Sequence, residues 1–225
     1  MSEHRALEAR RRRNRRGEGD RLREDIVAAA AELLAESGDP RQLTLRGVAK
    51  RVGIAATSIY PHFPDVEHLA IAVAERRLAE LHARQAAIEE ELTDPAEILL
   101  ARCRAYCRFG LENPAHYRIM FFAELGPTMT FGFDQAPGRA GFEVLVSAIR
   151  RCQEAGLVPP DRDPFRLATL VWTAEHGIVS LRLTRRRFPW PPLDDLVNEA
   201  VSSLVGLRGT AAGQPDQPDQ PDQPD

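Results

Sequence analysis

The sequence predicts an all-α protein of about nine helices, for three reasons. Apolar residues recur at three- and four-residue spacing along most of the chain, as one face of a helix requires. No stretch sustains the period-two alternation of a half-buried strand. Glycine and proline fall where the helical pattern breaks, at the positions where helices stop and restart.

The first periodic stretch starts at Arg21, with Leu22, Ile26, Ala29, Ala30, Leu33 and Leu34 on one face, and Ser37-Gly38-Asp39-Pro40 ends it. Thr44 is a natural N-cap for a second short helix whose inward positions are Leu45, Val48, Ala49 and Val52. Gly53 closes it, where a tight turn needs a left-handed backbone. A third short helix is expected over 55–62, with Ile54, Ile59 and Phe63 facing inward. Pro64-Asp65 opens a long helix reaching about Leu92, and Thr93-Asp94-Pro95 restarts the chain in another that stops at Asn113-Pro114. A short helix over 116–124 precedes a glycine- and proline-containing loop over 126–138. Helices are then expected over 139–155, 164–187 and 192–207, the last two separated by Phe188-Pro189-Trp190-Pro191-Pro192.

The 225 residues, 43% of them hydrophobic, suffice for a small domain joined to a larger one. No apolar run approaches the 18 or so residues that cross a bilayer, and the N-terminus is charged where a signal peptide is apolar. The expectation is a soluble cytoplasmic protein without a membrane partner. The net charge of −3 is unevenly spread: residues 1–63 carry 13 basic and 9 acidic side chains, and the remainder carries 17 and 24. A basic end on an acidic body places a phosphate-binding surface at that end.

Four parts follow. Residues 1–20 read as a disordered arm, because Arg10 to Arg13 with Arg15 and Arg16 form a self-repelling run. The arm either reaches DNA phosphates or is simply solvated. Residues 21–67 form a helix-turn-helix domain, residues 68–208 a larger helical domain, and 209–225 a disordered tail of Gln-Pro-Asp repeats. Cys103 and Cys107 share a helix face; they are either buried small apolar residues or a thiol sensor or metal site. An odd count of three cysteines without a C-x-x-C pair argues against a disulfide framework.

The stretch 44–63 contains a positioning helix, a glycine turn and a following segment of small and polar residues, as a helix-turn-helix needs. Here the sequence resembles the tetracycline-repressor (TetR) family of transcription regulators. The resemblance rests on Leu43-Thr44-Leu45-Arg46, Val48-Ala49, Val52-Gly53-Ile54, and above all Ile59-Tyr60-Pro61-His62-Phe63-Pro64-Asp65 leading into Leu69. It implies DNA contacts at matching positions. Thr44 would offer its hydroxyl and helix N-terminus to a phosphate, and Arg46 would reach a guanine. Ala56, Thr57 and Ser58 would face base edges, Tyr60 and His62 would hold phosphates, and Lys50 is a weaker phosphate candidate. One departure is Val66, where family members often carry a phosphate-gripping lysine; the arginine arm is a candidate substitute.

The C-terminal part contains Trp172-Thr-Ala-Glu-His176-Gly177, which resembles the Trp-x-x-x-His-Gly signature of one group of these regulators. Trp172 and His176 lie on one helical face, lining either an effector pocket or the core. Other candidates for an effector pocket are Tyr106, Phe109, Tyr117, Met120 and Phe121, whose apolar and aromatic character suits a small hydrophobic or aromatic ligand. The resemblance implies a homodimer through the last two helices, with a seam from Leu167, Leu170, Val171, Ile178, Leu181, Leu193, Val197, Val201 and Leu204. A two-fold dimer suits a palindromic operator in double-stranded DNA. The implied function is a repressor released by its effector. The alternatives are a helical binding module or an activator without a small-molecule effector. No phosphate-cradling loop, G-x-S-x-G elbow or H-E-x-x-H occurs, so neither an enzyme, a cofactor nor a metal is expected.

Overall fold

The computed structural model describes residues 18–121 and 138–208. The arm up to residue 17, the loop up to residue 137, the tail from residue 209 and the side chains of Met120 and Phe121 lie outside the described residues. The described part contains eight α-helices: α1 Glu18–Ser37, α2 Leu45–Val52, α3 Val66–Glu91, α4 Pro95–Glu112, α5 Pro114–Phe121, α6 Arg139–Glu154, α7 Pro164–Thr184 and α8 Leu193–Val205. Two 3₁₀ turns, Pro40–Gln42 and Ala56–Ser58, complete it.

The structure differs from the sequence reading in three places. The first helix begins at Glu18, inside the stretch read as arm. The third element is not an α-helix over 55–62 but the 3₁₀ turn Ala56–Ser58 continued by turns, with the Ile59 carbonyl accepting from His62 N and Phe63 N at 3.0 and 2.9 Å. Pro61 explains this: it has no N–H to give the Thr57 carbonyl, and it disfavours helical backbone at Tyr60. The helix expected to reach residue 187 stops at Thr184, and the Arg185 carbonyl beyond it is one that Pro189 has no N–H to meet. That carbonyl accepts from Trp190 Nε1 at 3.0 Å instead.

The helix ends follow ordinary capping chemistry. Thr44 Oγ1 accepts from Gly47 N at 3.1 Å, and Gly53 ends α2 at φ 81°. Asp65, Asp94 and Asp163 cap α3, α4 and α7 through side-chain acceptance from backbone N–H groups.

Two cores result. Ile26, Ala30, Leu34, Val48, Ile59 and Phe63 pack with the first turns of α3 to make the helix-turn-helix core. Leu99, Cys103, Cys107, Ile149, Val179 and Val201 belong to the second core, built by α4, α6, α7 and α8. The long α3 enters both layers, and α5 touches α1, α3 and α4. Gly110 allows a close α4–α7 approach: a Cβ there would stand 2.8 Å from Val179 Cγ1 and 3.1 Å from Tyr117 Cδ2.

The expected seam needs correction. Leu167, Val171, Val197 and Val201 are buried in the chain's own core, because α7 and α8 turn these faces toward α4 and α6. Ile178, Leu193 and Leu204 are half-buried against the same core. Leu170 and Leu181 remain outward, 39% and 49% exposed. Gly177 meets nothing within 4 Å of a built Cβ.

Candidate nucleic-acid interface and effector site

The recognition segment hangs on two anchors. Ile59 and Phe63 are sunk in the core, and the Arg23 guanidinium lies 4.9 Å from the Phe63 ring centre. The residues on either side of Ile59 point outward: Thr57, Ser58 and Tyr60 are exposed, while Ala56 and His62 are half-buried. Thr44, which caps α2, and Arg46 and Lys50 on α2 are exposed as well. All eight expected contact residues are thus exposed or half-buried on α2, its cap and the segment that follows, and α2 and the 3₁₀ turn Ala56–Ser58 are in contact. Thr44 Oγ1 accepts from Gly47, which leaves its hydroxyl proton to donate outward. Arg46 and Lys50 have no ion-pair partner among the described residues.

Arg51 behaves differently. Its guanidinium donates to Glu36 at 2.6 Å and to Glu32 at 3.1 Å, clamping α2 to α1. The Arg51 hydrogen bonds hold the Glu36 carboxyl below its ordinary range. Val66 packs against the helix-turn-helix core, so its place on α3 supplies no cationic grip. Asp65 is held low by the backbone and side-chain bonds from His68.

In the larger domain four of the seven expected ligand residues come together. His176 on α7 sits between two phenols, with Tyr106 Oη 2.9 Å from Nε2 and Tyr117 Oη 2.7 Å from Nδ1. Trp172 meets the His176 ring edge-on at 4.7 Å, and Phe142 meets Trp172 at 6.1 Å. Phe109 does not join them; it is buried with Arg84 6.0 Å from its ring centre, on the side facing α3. The side chains of Met120 and Phe121, the remaining two expected ligand residues, lie outside the described residues.

Burial makes this site neutral. It lowers His176 to about 4 and raises both phenols above their ordinary range. A neutral imidazole has one N–H, so it donates to one tyrosine and accepts from the other. The tyrosine that accepts keeps its own proton for a further partner. Glu175, next in sequence, escapes sequence reading because a single glutamate in a helix looks solvated. It is 4% exposed beside Cys103, and burial pushes it up to about 8. Burial also raises the Cys103 and Cys107 thiols, which favours the packing reading of that pair over a thiolate sensor. Among the described residues no group of three His, Cys, Asp or Glu side chains could hold a metal ion.

The two sites meet through α5. His116 Nε2 lies 3.0 Å from the Ala31 carbonyl on α1, and Arg118 donates to the Gly38 carbonyl at 3.4 Å. The residue between them, Tyr117, faces His176.

A helix-turn-helix domain joined to a larger helical domain with a half-buried aromatic cluster, in which Trp172 is 42% exposed, has the architecture of a transcription regulator. Residues 26–73 match the family of bacterial regulatory proteins, tetR family, and residues 99–204 match the tetracyclin repressor-like C-terminal domain. The chain belongs to the tetracycline-repressor (TetR) family. Among solved structures it resembles a protein of unknown function from Rhodococcus sp. RHA1, at 26% identity over 83% of this chain and 95% of that one, TM-score 0.69. It also resembles RolR in complex with resorcinol, at 20% identity over 86% and 92%, TM-score 0.67. A third likeness is to Thermus thermophilus FadR in complex with lauroyl-CoA, at 19% identity over 85% and 98%, TM-score 0.59. The latter two establish likeness of fold. No helix among the described residues is long and apolar enough to cross a membrane.

Proposed function

We propose that this protein is a cytoplasmic homodimeric repressor that leaves a palindromic operator when a small, uncharged, hydrophobic or aromatic effector binds near His176. The observation that carries the reading is the neutral Tyr106–His176–Tyr117 triad, connected through α5 to the DNA-reading domain. A site whose titratable groups are all held uncharged by burial favours an uncharged ligand, with aromatic walls for its body and a phenol or imidazole to orient its polar edge. RolR, of like fold, is described with the phenolic ligand resorcinol, which supports this class.

On the DNA side, Thr44, Tyr60, His62 and Lys50 would hold phosphates, while Arg46, Ala56, Thr57 and Ser58 would face base edges. The dimer would form on the outward face of α7, where Leu170, Thr173, Gly177 and Leu181 are spaced to meet a second copy, with α8 beside it. Effector binding would move α5 and the long α3 together and change the separation of the two reading heads.

Fluorescence anisotropy with DNA from upstream of the protein's own gene tests this. The expected result is salt-dependent, sequence-specific binding by a dimer, weakened by an uncharged aromatic ligand but not by its carboxylated analogue. A ligand that binds tightly yet leaves DNA affinity unchanged defeats the coupling. A monomer at micromolar concentration defeats the two-fold arrangement.

A further inference from the structure

We propose that the arginine cluster at the α7–α8 connection, formed by Arg182, Arg185, Arg186 and Arg187, is a second DNA-binding surface that meets operator phosphates between the two half-sites. This rests on the dimeric operator-binding reading above.

The cluster lies at the DNA-reading end of the larger domain. α4 and α7 run in the same direction, since Tyr106 pairs with His176 and Gly110 approaches Val179. The C-terminal end of α4 leads directly into α5, which is bonded to α1 through His116 and Arg118. Thr184 is eight residues beyond His176 along α7, about 12 Å further toward that same end. α8 returns from there, its first turn held to α4 by Arg108 and Asp194 at 2.7 Å. In a dimer built on α7 and α8, the two connections lie together near the two-fold axis, facing the duplex between the reading heads.

The connection is ordered to present charge. Arg182 donates to the Pro191 carbonyl at 3.1 Å and lies 5.6 Å from the Trp190 ring centre. Phe188 and Trp190 rings stand 4.5 Å apart, and both residues bond back to the Arg185 carbonyl at 3.0 Å. The loop therefore holds a fixed shape while Arg185, Arg186 and Arg187 are exposed. None of the four arginines has an ion-pair partner among the described residues, and residues 182–192 contain no Asp or Glu. One cation in the last turn of a helix is explained by the helix dipole. Three further exposed arginines in a row, on a body that is otherwise acidic, are not. The guanidiniums of Arg185, Arg186 and Arg187 each offer a phosphate a bidentate partner.

The test uses the full-length chain and a duplex it selects from a random-sequence pool. Replacing Arg185, Arg186 and Arg187 together by Gln should make the slope of log K against log[salt] shallower by about 2 or more, because each protomer then neutralises at least one phosphate fewer and the dimer has two protomers. Across a roughly fourfold rise in salt, the variant should lose roughly tenfold less affinity than the wild type. The triple Lys variant, which keeps the charge, should restore most of the slope. Neutral methylphosphonates at the centre of the duplex should abolish the difference between wild type and the Gln variant. An unchanged slope in a folded, dimeric Gln variant overturns the proposal, while loss of binding in Tyr60→Ala would still uphold the helix-turn-helix reading. If Tyr60→Ala binds normally and the Gln variant does not, the helix-turn-helix reading fails and the loop contact stands. A Gln variant that keeps its DNA slope but no longer binds anionic phospholipid vesicles makes the loop a membrane contact and also overturns the proposal.

Discussion

Glu175→Gln tests the buried site through its protonation. Burial raises the Glu175 carboxyl from 4.5 to about 8, so at neutral pH it sits inside the fold as the neutral acid. Between those two values the folded chain binds more protons than the unfolded chain. The stability tied to the neutral form is thus fully present below pH 4.5 and is lost as pH rises through about 8. Over the whole window this amounts to several kcal/mol, of which about 1 kcal/mol falls between about pH 7 and about pH 9. His176, lowered from 6.5 to about 4, works in the opposite sense: its contribution is present above 6.5 and is lost as pH falls through about 4. The two oppose each other in mildly acidic solution, so only the alkaline limb isolates Glu175. Urea unfolding of wild type and variant at a series of pH values reads the effect. The Gln amide carries its own burial cost, but that cost does not depend on pH. The wild type should lose stability relative to the variant above neutral pH, by about 1 kcal/mol from about pH 7 to about pH 9. Parallel curves for the two proteins would show that Glu175 is not held neutral, and the account of an uncharged site would fall with it.

Gly110→Ala should destabilise the larger domain by about 1–3 kcal/mol, because the new methyl meets Val179 Cγ1 at 2.8 Å; thermal melting reads it, and an unchanged melting temperature would mean that α7 yields freely. Glu89→Gln should cost about 1–3 kcal/mol by denaturant titration, since Glu89 accepts from Arg102 at 2.8 Å and from Arg151 at 3.0 Å while the Arg102 side chain is 7% exposed. The cost stays below that of a fully buried pair because Glu89 is itself 29% exposed and screened. Tyr60→Ala should leave the melting temperature unchanged, because Tyr60 is 56% exposed. It should weaken DNA binding by about 1–2 kcal/mol, the scale of a single phosphate hydrogen bond. Equal affinity in a folded dimer removes Tyr60 from the interface.

The helix-turn-helix was legible because its signals are local. Thr44, Gly53 and the spacing of Val48, Ile59 and Phe63 each state a backbone need within a few residues, and the chain meets them all. The exception is instructive: inward spacing alone suggests a helix over 55–62, but the missing N–H at Pro61 shortens it to a 3₁₀ turn. The larger domain was less legible because its helices bury more than one face. Leu167, Val171, Val197 and Val201 follow a helical stripe, yet a stripe does not say whether it meets the same chain or a second copy. Trp172, His176, Tyr106 and Tyr117 were singled out as residue types, but their meeting depends on the α4–α7 approach at Gly110, which has no local signature. Glu175 was invisible for the same reason, since burial of a carboxylate is decided by helices some seventy residues away in the chain.

Those long-range contacts also explain why the two domains are physically joined rather than merely tethered. Consecutive side chains on α5 serve different partners. His116 is 2% exposed and bonded to a carbonyl inside α1, while Tyr117 is 1% exposed and bonded to His176 in the larger core. Burial lowers the His116 pKa, so the ring is neutral at physiological pH and its bond to the Ala31 carbonyl is that of an N–H donor. A helix of eight residues held at both faces by buried polar bonds cannot rotate about its axis without breaking one of them. Under the proposed mechanism, a ligand that takes over the Tyr117 hydroxyl would displace α5 as a unit. The displacement would reach α1 through a packed, hydrogen-bonded contact, and its energy would be the difference between the ligand's hold on Tyr117 and that of His176.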